Sequence, residues 1–588
     1  MKLPINPRLF TSSSKSPHSL SLNPFKFSSL SKPSLLHTYN LKLRIHSYSY
    51  TRFCFFRSAS VQATIMPTSP LSVHVKDQIE LTPKEKQIFD RLLQVLLHFN
   101  LRTQLRVAGG WVRDKLLGKE CYDIDVALDD MLGREFCEKV NEYLSSTGEE
   151  TQGIGVIQCN PDQSKHLETA RMRLFDVWID FVNLRSEDYS ENSRIPTMRF
   201  GTAEEDAYRR DLTINSLFYN INTSSVEDFT RRGIEDLKSG KIVTPLPPKQ
   251  TFLDDPLRVL RAIRFGARFG FVLDEELKIA AADNDVRAAI SDKISRERIG
   301  KEIDLMISGN QPVLAMTYIS ELQLFWAVFS LPPETEPSTL EECERFCVAY
   351  MDPTWRFLQL IGSSSSFTDD QRRLCLYAAL FLPFRNAFYR DKKGKQIPVV
   401  SYIFRSSLKL KSSDAETVIS MHVAVEKFLS LIPSIMSKEN LQTLEVDWKT
   451  ETLDVPIASK LRILSGLILR EIKDFWRAAL VLSLLLHPHD ICSSTNLSNE
   501  DTELNERGEL FSRVENAILE MGLEKVWELK PLVNGKDIMS VLQLKSGGPV
   551  VKEWQQKLLE WQLAHPSGSA EECVDWMGQT QSKRARTE

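Results

Sequence analysis

The sequence predicts an α+β protein, with a small α/β head followed by a long run of helices forming neck, body and tail. Two observations carry this reading. Residues 105–185 alternate short apolar runs of period two with stretches of helical spacing, and from about Phe252 the period is helical nearly to the end. A third observation, a change in charge, sets off a leader: ten Lys or Arg and no acid precede Asp77. The expected divisions are a leader at 1–65, a head at 77–250, a neck at 251–330, a helical body and tail at 331–565, and a disordered end at 566–588.

The leader is rich in Ser, Lys and Arg and has no unbroken apolar run, the composition of an organelle transit peptide and not of a secretory signal. Met66, just behind it, is a candidate second start whose product would lack the address. The expected destinations are mitochondrion or chloroplast with the leader, and cytoplasm and nucleus from Met66. Near the other end "KRAR", Lys583 to Arg586, has the composition of a short nuclear signal. Beyond the leader 64 bases face 78 acids, a net charge of about −14, which argues against indiscriminate nucleic-acid binding and makes any phosphate contact local. The nine cysteines form no CxxC pair and are expected to be reduced, with Cys343 and Cys347 a helical turn apart for packing. "RAALVLSLLLH" (Arg477 to His487) is too short to span a membrane, and no membrane partner is expected.

Helical spacing at 77–100 makes Thr82 the cap, with Pro83 in the first turn. Apolar "LRVA" then runs into Gly109-Gly110 and the helical "WVRDKLL", which Gly118 closes. Glycines at a strand-to-helix turn let backbone N–H groups approach an anion, and Arg113, one turn in, would add a guanidinium to the same phosphates. Alone, Gly-Gly reads as a tight turn. In "YDIDVAL", Ile124, Val126 and Leu128 alternate with Asp123 and Asp125, so a strand buries the apolar set and projects both carboxylates together. Carboxylates that close repel unless a cation lies between them or one takes a proton. Oxygen ligands suit Mg²⁺, which completes its shell with water and substrate phosphates, so the pair reads as a metal platform for a nucleotide. "RLFDVWIDFVNLR" (Arg173 to Arg185) is a second strand with Asp176 and Asp180 on one face. Beside the first strand, Asp180 would supply a third carboxylate for general-base work or metal support; polarity on an exposed face is the equal alternative.

In order and spacing, "GGWVRDKLLG…YDIDVAL" resembles the signature of template-independent nucleotidyltransferases built on a polymerase-β-type head, a small mixed sheet with helices. The chain specifically resembles the class II CCA-adding tRNA nucleotidyltransferases, which share their head with bacterial poly(A) polymerases; its leader points to a eukaryotic, plant version. The likeness continues through "EEDAYRRDLTINSLFYN" (Glu204 to Asn220), "GIEDLKSGKIVTP" (Gly233 to Pro245), "DDPLRVLRAIRFGARFGF" (Asp254 to Phe271) and "ISRERIGKEI" (Ile294 to Ile303). The resemblance implies that Gly110 and Arg113 hold a triphosphate, that Asp123 and Asp125 hold Mg²⁺, and that Arg210 and Asp211 lie near the incoming ribose and phosphates. Residues 233–245 would be the hinge between head and neck. One departure is Asp254-Asp255, where the family motif usually begins Glu-Asp.

Asp255 and Arg258 are three residues apart, expected as neighbours on one helix face with Pro256 in the first turn. A carboxylate only accepts and a guanidinium only donates. Cytosine and adenine each offer an amine donor beside an unprotonated ring nitrogen, whereas guanine and uracil offer a carbonyl beside a ring N–H. One acceptor–donor pair therefore fits C and A and is mismatched for G and U. Arg261 and Arg264 continue the stripe towards the triphosphate or primer end; spacing alone would make this a solvated basic face. The implied reaction is attack of an RNA 3′-hydroxyl on the α-phosphate of CTP twice and of ATP once, with Mg²⁺, releasing pyrophosphate. The implied partners are tRNA, through its 3′ end and acceptor/TΨC arm, with CTP and ATP as substrates. Val533 to Gln562 resembles the tail of the same enzymes, where Lys536 and Lys545 would touch phosphates; a plain helical hairpin reads as well. "HPHD" (His487 to Asp490) lacks the separated ligands of a metal hydrolase. Two alternatives are weighed: a poly(A) polymerase or partial CCA adder, and a non-catalytic RNA-binding protein, against which the intact motifs count.

Overall fold

The computed structural model describes residues 73–157, 168–189, 196–336, 343–362, 367–436, 457–487 and 500–587. The leader, the serines at 363–366, most of "HPHD", Cys54, Cys159, Cys492 and the side chains of "KRAR" lie outside the described residues.

The head opens with α1 (Pro83–His98), where Thr82 Oγ1 accepts from the Glu85 N–H at 3.2 Å and Glu85 returns the bond to the Thr82 N–H at 2.7 Å. β1 (Leu105–Ala108) leads through Gly109 into α2 (Gly110–Leu116), and β2 (Ile124–Leu128) precedes α3 (Gly133–Ser146). Glu85 also accepts from Trp111 Nε1 at 3.1 Å and pairs with Lys115 at 2.8 Å, pinning α2 to α1. The strands β3 (Ile154–Ile157), β4 (Thr169–Leu174) and β5 (Val177–Asn183) follow, then the separate ribbon of β6 (Arg185–Asp188) and β7 (Thr197–Phe200). Last come α4 (Ala203–Tyr208), β8 (Phe218–Asn220) and β9 (Ser225–Glu227).

Seven of these strands form one mixed sheet in the order β3-β4-β5-β2-β1-β8-β9. β2 and β5 run parallel and every other neighbouring pair is antiparallel. Ile124, Val126 and Leu128 are buried as their alternation predicts. At about 1.5–3 kcal/mol for each large apolar side chain buried, they hold the register: a slip of one residue would carry Asp125 into the core. Ala127, on the other face, is buried too, because Ala203 and Ala207 of α4 pack there with Ala108 and Phe218.

After the sheet come α5 (Gly233–Lys238) and, leading into the neck, α6 (Pro248–Asp254) and α7 (Leu257–Phe269). α7 closes on Gly270, in the left-handed region at φ +70°, with the Phe271 N–H donating to Gly266 at 2.9 Å. The short strand Lys241–Ile242 pairs in parallel with Val272–Leu273, tying the 233–245 stretch to the end of α7.

Long helices make the body. Ser412–Met436 has the length and apolar composition to cross a membrane, yet Val418, Met421, Val425, Phe428 and Leu431 are buried in the body core. Trp476–Leu486 is likewise a buried helix. Arg373 joins neck to body, bonding Asp304 at 2.6 Å and Asp414 at 2.7 Å. Cys343 and Cys347 are buried free thiols, as their helical spacing predicts for packing.

His422 lies in this core with Nε2 at 2.7 Å from the Ala378 carbonyl, and burial pushes its pKa down to about 4. The folded chain thus refuses a proton that the unfolded chain accepts below its ordinary value near 6.5. Stability from this residue is intact above that pH and is lost as pH falls towards 4, by about 3 kcal/mol. Thermal unfolding between pH 7.5 and 4.5 should show this loss, and His422→Gln should flatten the slope.

The expectation of a disordered end at 566–588 is corrected. Ala570–Thr587 is helical, and Cys573 and Met577 join Val533, Ile538, Trp554 and Trp561 in a small core of their own. A reciprocal cap, with Ser569 N–H to Glu572 at 2.9 Å and Glu572 N–H to Ser569 at 3.2 Å, starts the helix, and the apolar pair four residues apart docks it.

Candidate active site

Register brings the carboxylates together. In the parallel pairing of β2 with β5, Asp125 stands opposite Asp180, and Asp123 immediately precedes β2. One oxygen from each of the three lies within 4.8 Å of the others. Burial, then the neighbouring Asp123 and Asp180, push the Asp125 carboxyl up to about 6. Burial also raises Asp180, against the pull of Arg171 at 2.8 Å. This hard-oxygen set with surplus negative charge fits a divalent cation. Asp176 does not share the strand face expected of it. It occupies the two-residue turn between β4 and β5 at φ +68°, exposed and 3.3 Å from Arg173.

The glycine turn is fitted against the "RRDLTIN" segment. Gly109 has φ +73°, and a Cβ there would lie 2.7 Å from Arg210 Nη1 and 3.3 Å from the Asn215 carbonyl, so conformation and space both require glycine. Gly110 is half-buried at the start of α2. Arg113, expected on the triphosphate, is instead 3% exposed. Its guanidinium lies 4.9 and 4.7 Å from the rings of Phe265 and Phe269 on α7, bonds Asp114 at 2.8 Å and donates to Asn215 Oδ1. Here it joins α2 to α7, and its donors face protein.

Arg210 bonds Asp206 through Nε and Nη2 at 2.9 and 2.8 Å, and its charge counters the rise in Asp125, so it faces the triad. Asp211 is buried between Arg261 Nε at 2.7 Å and Asn215 Nδ2 at 3.1 Å. Burial opposes its ionisation, but Arg261 and Asn215 outweigh it and hold the carboxyl well below the usual range. Arg261 is thereby spent on Asp211, and Arg264 on Glu302 at 2.5 Å and the Phe265 ring at 4.3 Å. Arg264, expected to point towards the triphosphate or primer end, is here placed on Glu302, where it braces α7 on the helix Arg296–Ile307.

Asp255 and Arg258 are both buried, but not on one helix. Asp255 is extended at φ −140°, ψ 95° in the break between α6 and α7, because a residue before proline is pushed out of the α region. Arg298, from the helix Arg296–Ile307, approaches it at 3.4 Å. Arg258 donates to the Arg209 carbonyl at 2.7 Å and to Tyr189 at 3.3 Å, and lies 3.6 Å from Glu187; among the described residues all three contacts use Nη2. Lys536 and Lys545 are exposed on the tail, around the helix Gly535–Val541 and the turn leading to Pro549–Ala564. They are not among the residues gathered round the triad.

Asn215 was the residue missed. Its amide and carbonyl meet Arg113, Arg210 and Asp211, making it the centre of the network between triad and α7. Nothing local marks it, since it is one of several polar residues in the stretch, beside Asp211, Thr213 and Ser216. Asp206, in α4, pairs with Arg209 and Arg210 just past the end of that helix, three and four residues on.

Comparison with known proteins agrees with this geometry. The family profile described as "Poly A polymerase head domain" matches residues 105–243. The mitochondrial CCA tRNA nucleotidyltransferase of Candida glabrata is 34% identical over 535 residues, covering 85% of this chain and 96% of its own. Its Saccharomyces cerevisiae namesake is 34% identical over 502 residues, covering 80% and 87%. The Bacillus stearothermophilus CCA-adding enzyme, solved in complex with CTP, shares the fold with a TM-score of 0.56 at 18% identity, over 86% of this chain and all of its own. On the strength of the two yeast likenesses, which run nearly the full length of both partners, the chain belongs to the CCA tRNA nucleotidyltransferase family.

Proposed function

We infer that the chain adds C, C and A from CTP and ATP to the 3′ end of tRNA, without a nucleic-acid template and with release of pyrophosphate. The observation that carries this is the register of β2 and β5, which gathers Asp123, Asp125 and Asp180 beside Arg210 and within one network of the neck. Family membership supports it. Mg²⁺ fits the three carboxylate oxygens; when bound it supplies charge neutralisation for the triphosphate and activation of the RNA 3′-hydroxyl. Asp123 and Asp125 would hold the ion. Asp180, in register with Asp125, serves as third carboxylate, for metal support or as base to the hydroxyl.

The chain's own residues do the positioning. Arg210 presents positive charge to the triad, and Asn215 keeps it there by holding Nη1 at 3.3 Å. Arg258 keeps Nη1 and Nε for a base edge, and Asp255 supplies the acceptor. Because both are buried, a base with the wrong donor pattern sets donor against donor and acceptor against acceptor there, which disfavours G and U. The head at 77–250 and neck at 251–330 thus carry the chemistry. The helical part at 331–565 serves tRNA, with exposed Lys536 and Lys545 on its phosphates. The basic, acid-free leader and the yeast relatives' mitochondrial names support import into mitochondria; a chloroplast address, and a cytoplasmic and nuclear product from Met66, are parts of the same reading.

The test is incorporation of each labelled NTP with Mg²⁺ into tRNA transcripts ending before CCA, after C and after CC. Two C additions followed by one A, with G and U rejected, is the expected result. Long A tails on any RNA would make the protein a poly(A) polymerase, and no incorporation would leave a binding protein.

A further inference from the structure

The triad borders a second surface that the mechanism above leaves unused. α4 packs on the catalytic face of the sheet over Ala108, Ala127, Phe218 and, at the end of β5, Val182, and the face carried by β3, β4 and the start of β5 continues past it. There, strand register sets Arg171 opposite Asp180 and Arg173 opposite Trp178. Alternation puts Trp178 and Asp180 on one face, two residues apart. Trp178 is 51% exposed and Ile157, on the next strands outward, 65%. The Arg171 guanidinium lies 5.5 Å from the Trp178 ring centre as well as 2.8 Å from Asp180. Arg173 meets only the exposed turn carboxylate of Asp176 among the described residues, at 3.3 Å, a pairing weak enough for a phosphate to replace.

The position of this surface selects its ligand. Arg210, held by the Asn215 carbonyl, reaches β2 from the β1–β8 flank: it lies 5.1 Å from the Phe218 ring and against Gly109. The Trp178 face lies on the opposite flank, across β5. In-line transfer needs the attacking hydroxyl and the leaving pyrophosphate on opposite sides of the α-phosphate. With the nucleotide on the first flank, the RNA end must approach over the second. Its chemistry fits: an open indole stacks any base without reading it, and two cations beside it match a phosphodiester chain in a protein that is otherwise acidic.

We propose that Trp178 is the stacking platform for the 3′-terminal base of the RNA, with Arg171 and Arg173 along its last phosphates. This rests on the nucleotidyltransferase reading and names the residues that hold the primer. The experiment uses the full chain and a tRNA transcript that ends before CCA with 2-aminopurine as its last base. Binding to the wild type and to Trp178→Phe should quench the fluorescence, and binding to Trp178→Ala should not. Trp178→Ala should raise KM for tRNA about tenfold and leave KM for CTP unchanged, and Arg173→Ala should raise KM for tRNA and reduce its salt dependence. Equal quenching and equal tRNA KM in Trp178→Ala, with CCA addition by the wild type intact, would overturn the platform alone. A rise confined to the CTP KM would overturn it by assigning Trp178 to the nucleotide. A wild type that incorporates nothing would bring down the parent reading, and the platform with it.

Discussion

Asp125→Asn should lower incorporation of C and A at least about 10²–10³-fold, the scale of losing one preorganised charge-stabilising group, while making the metal-free protein more stable. The two effects share a cause. Burial and two neighbouring carboxylates raise the Asp125 pKa to about 6, so at pH 7.5 the folded chain keeps a charge that its surroundings disfavour. The neutral amide relieves up to about 3 kcal/mol. For the wild-type carboxyl the sign runs the same way: with its folded pKa above its unfolded one, the cost is present at neutral pH and vanishes as pH falls below the unfolded value. Added Mg²⁺ should therefore raise the melting temperature of the wild type and leave Asp125→Asn nearly unmoved. A variant that keeps its activity, or that melts lower than wild type without metal, would remove Asp125 from the metal site.

Arg258→Lys should relax base choice. Lysine keeps the charge but loses the planar fork, so discrimination between CTP and UTP, measured as the ratio of kcat/KM values, should fall roughly 10- to 100-fold, the range of one good bidentate base contact. Asp255→Asn, which replaces a pure acceptor by a group that also donates, should admit UTP in the same way. Incorporation of C should fall much less than with Asp125→Asn, since the role proposed for these residues is base selection and not contact with the reacting phosphate. Unchanged discrimination in both variants would place base selection elsewhere. The contacts of Arg258 with the Arg209 carbonyl and Glu187 belong to the neck–head junction, so melting temperatures should accompany the kinetics.

The local sequence determined a great deal. Period-two alternation in "YDIDVAL" buries Ile124, Val126 and Leu128 and leaves Asp125 on the opposite face, and Thr82 caps the first helix. These are properties of neighbours along the chain, set by backbone geometry within one turn or one pleat. What tertiary structure decided is where charges find their partners. Arg113 and Arg264 look on paper like phosphate ligands, because spacing shows that a guanidinium is present but not what waits for it. Asp114, Asn215 and Glu302 arrive from the next residue and from segments 102 and 38 residues away. Asp180 became a partner of Asp125 only through parallel pairing across α3 and two intervening strands, and Asp255 left the helix because Pro256 begins it. The unread end at 570–587 follows the same rule: the small core that receives Cys573 and Met577 exists only once the end helix has met the two helices before it, Gly535–Val541 and Pro549–Ala564. Burial turns a side chain's chemistry into a role, and burial is a property of the whole fold.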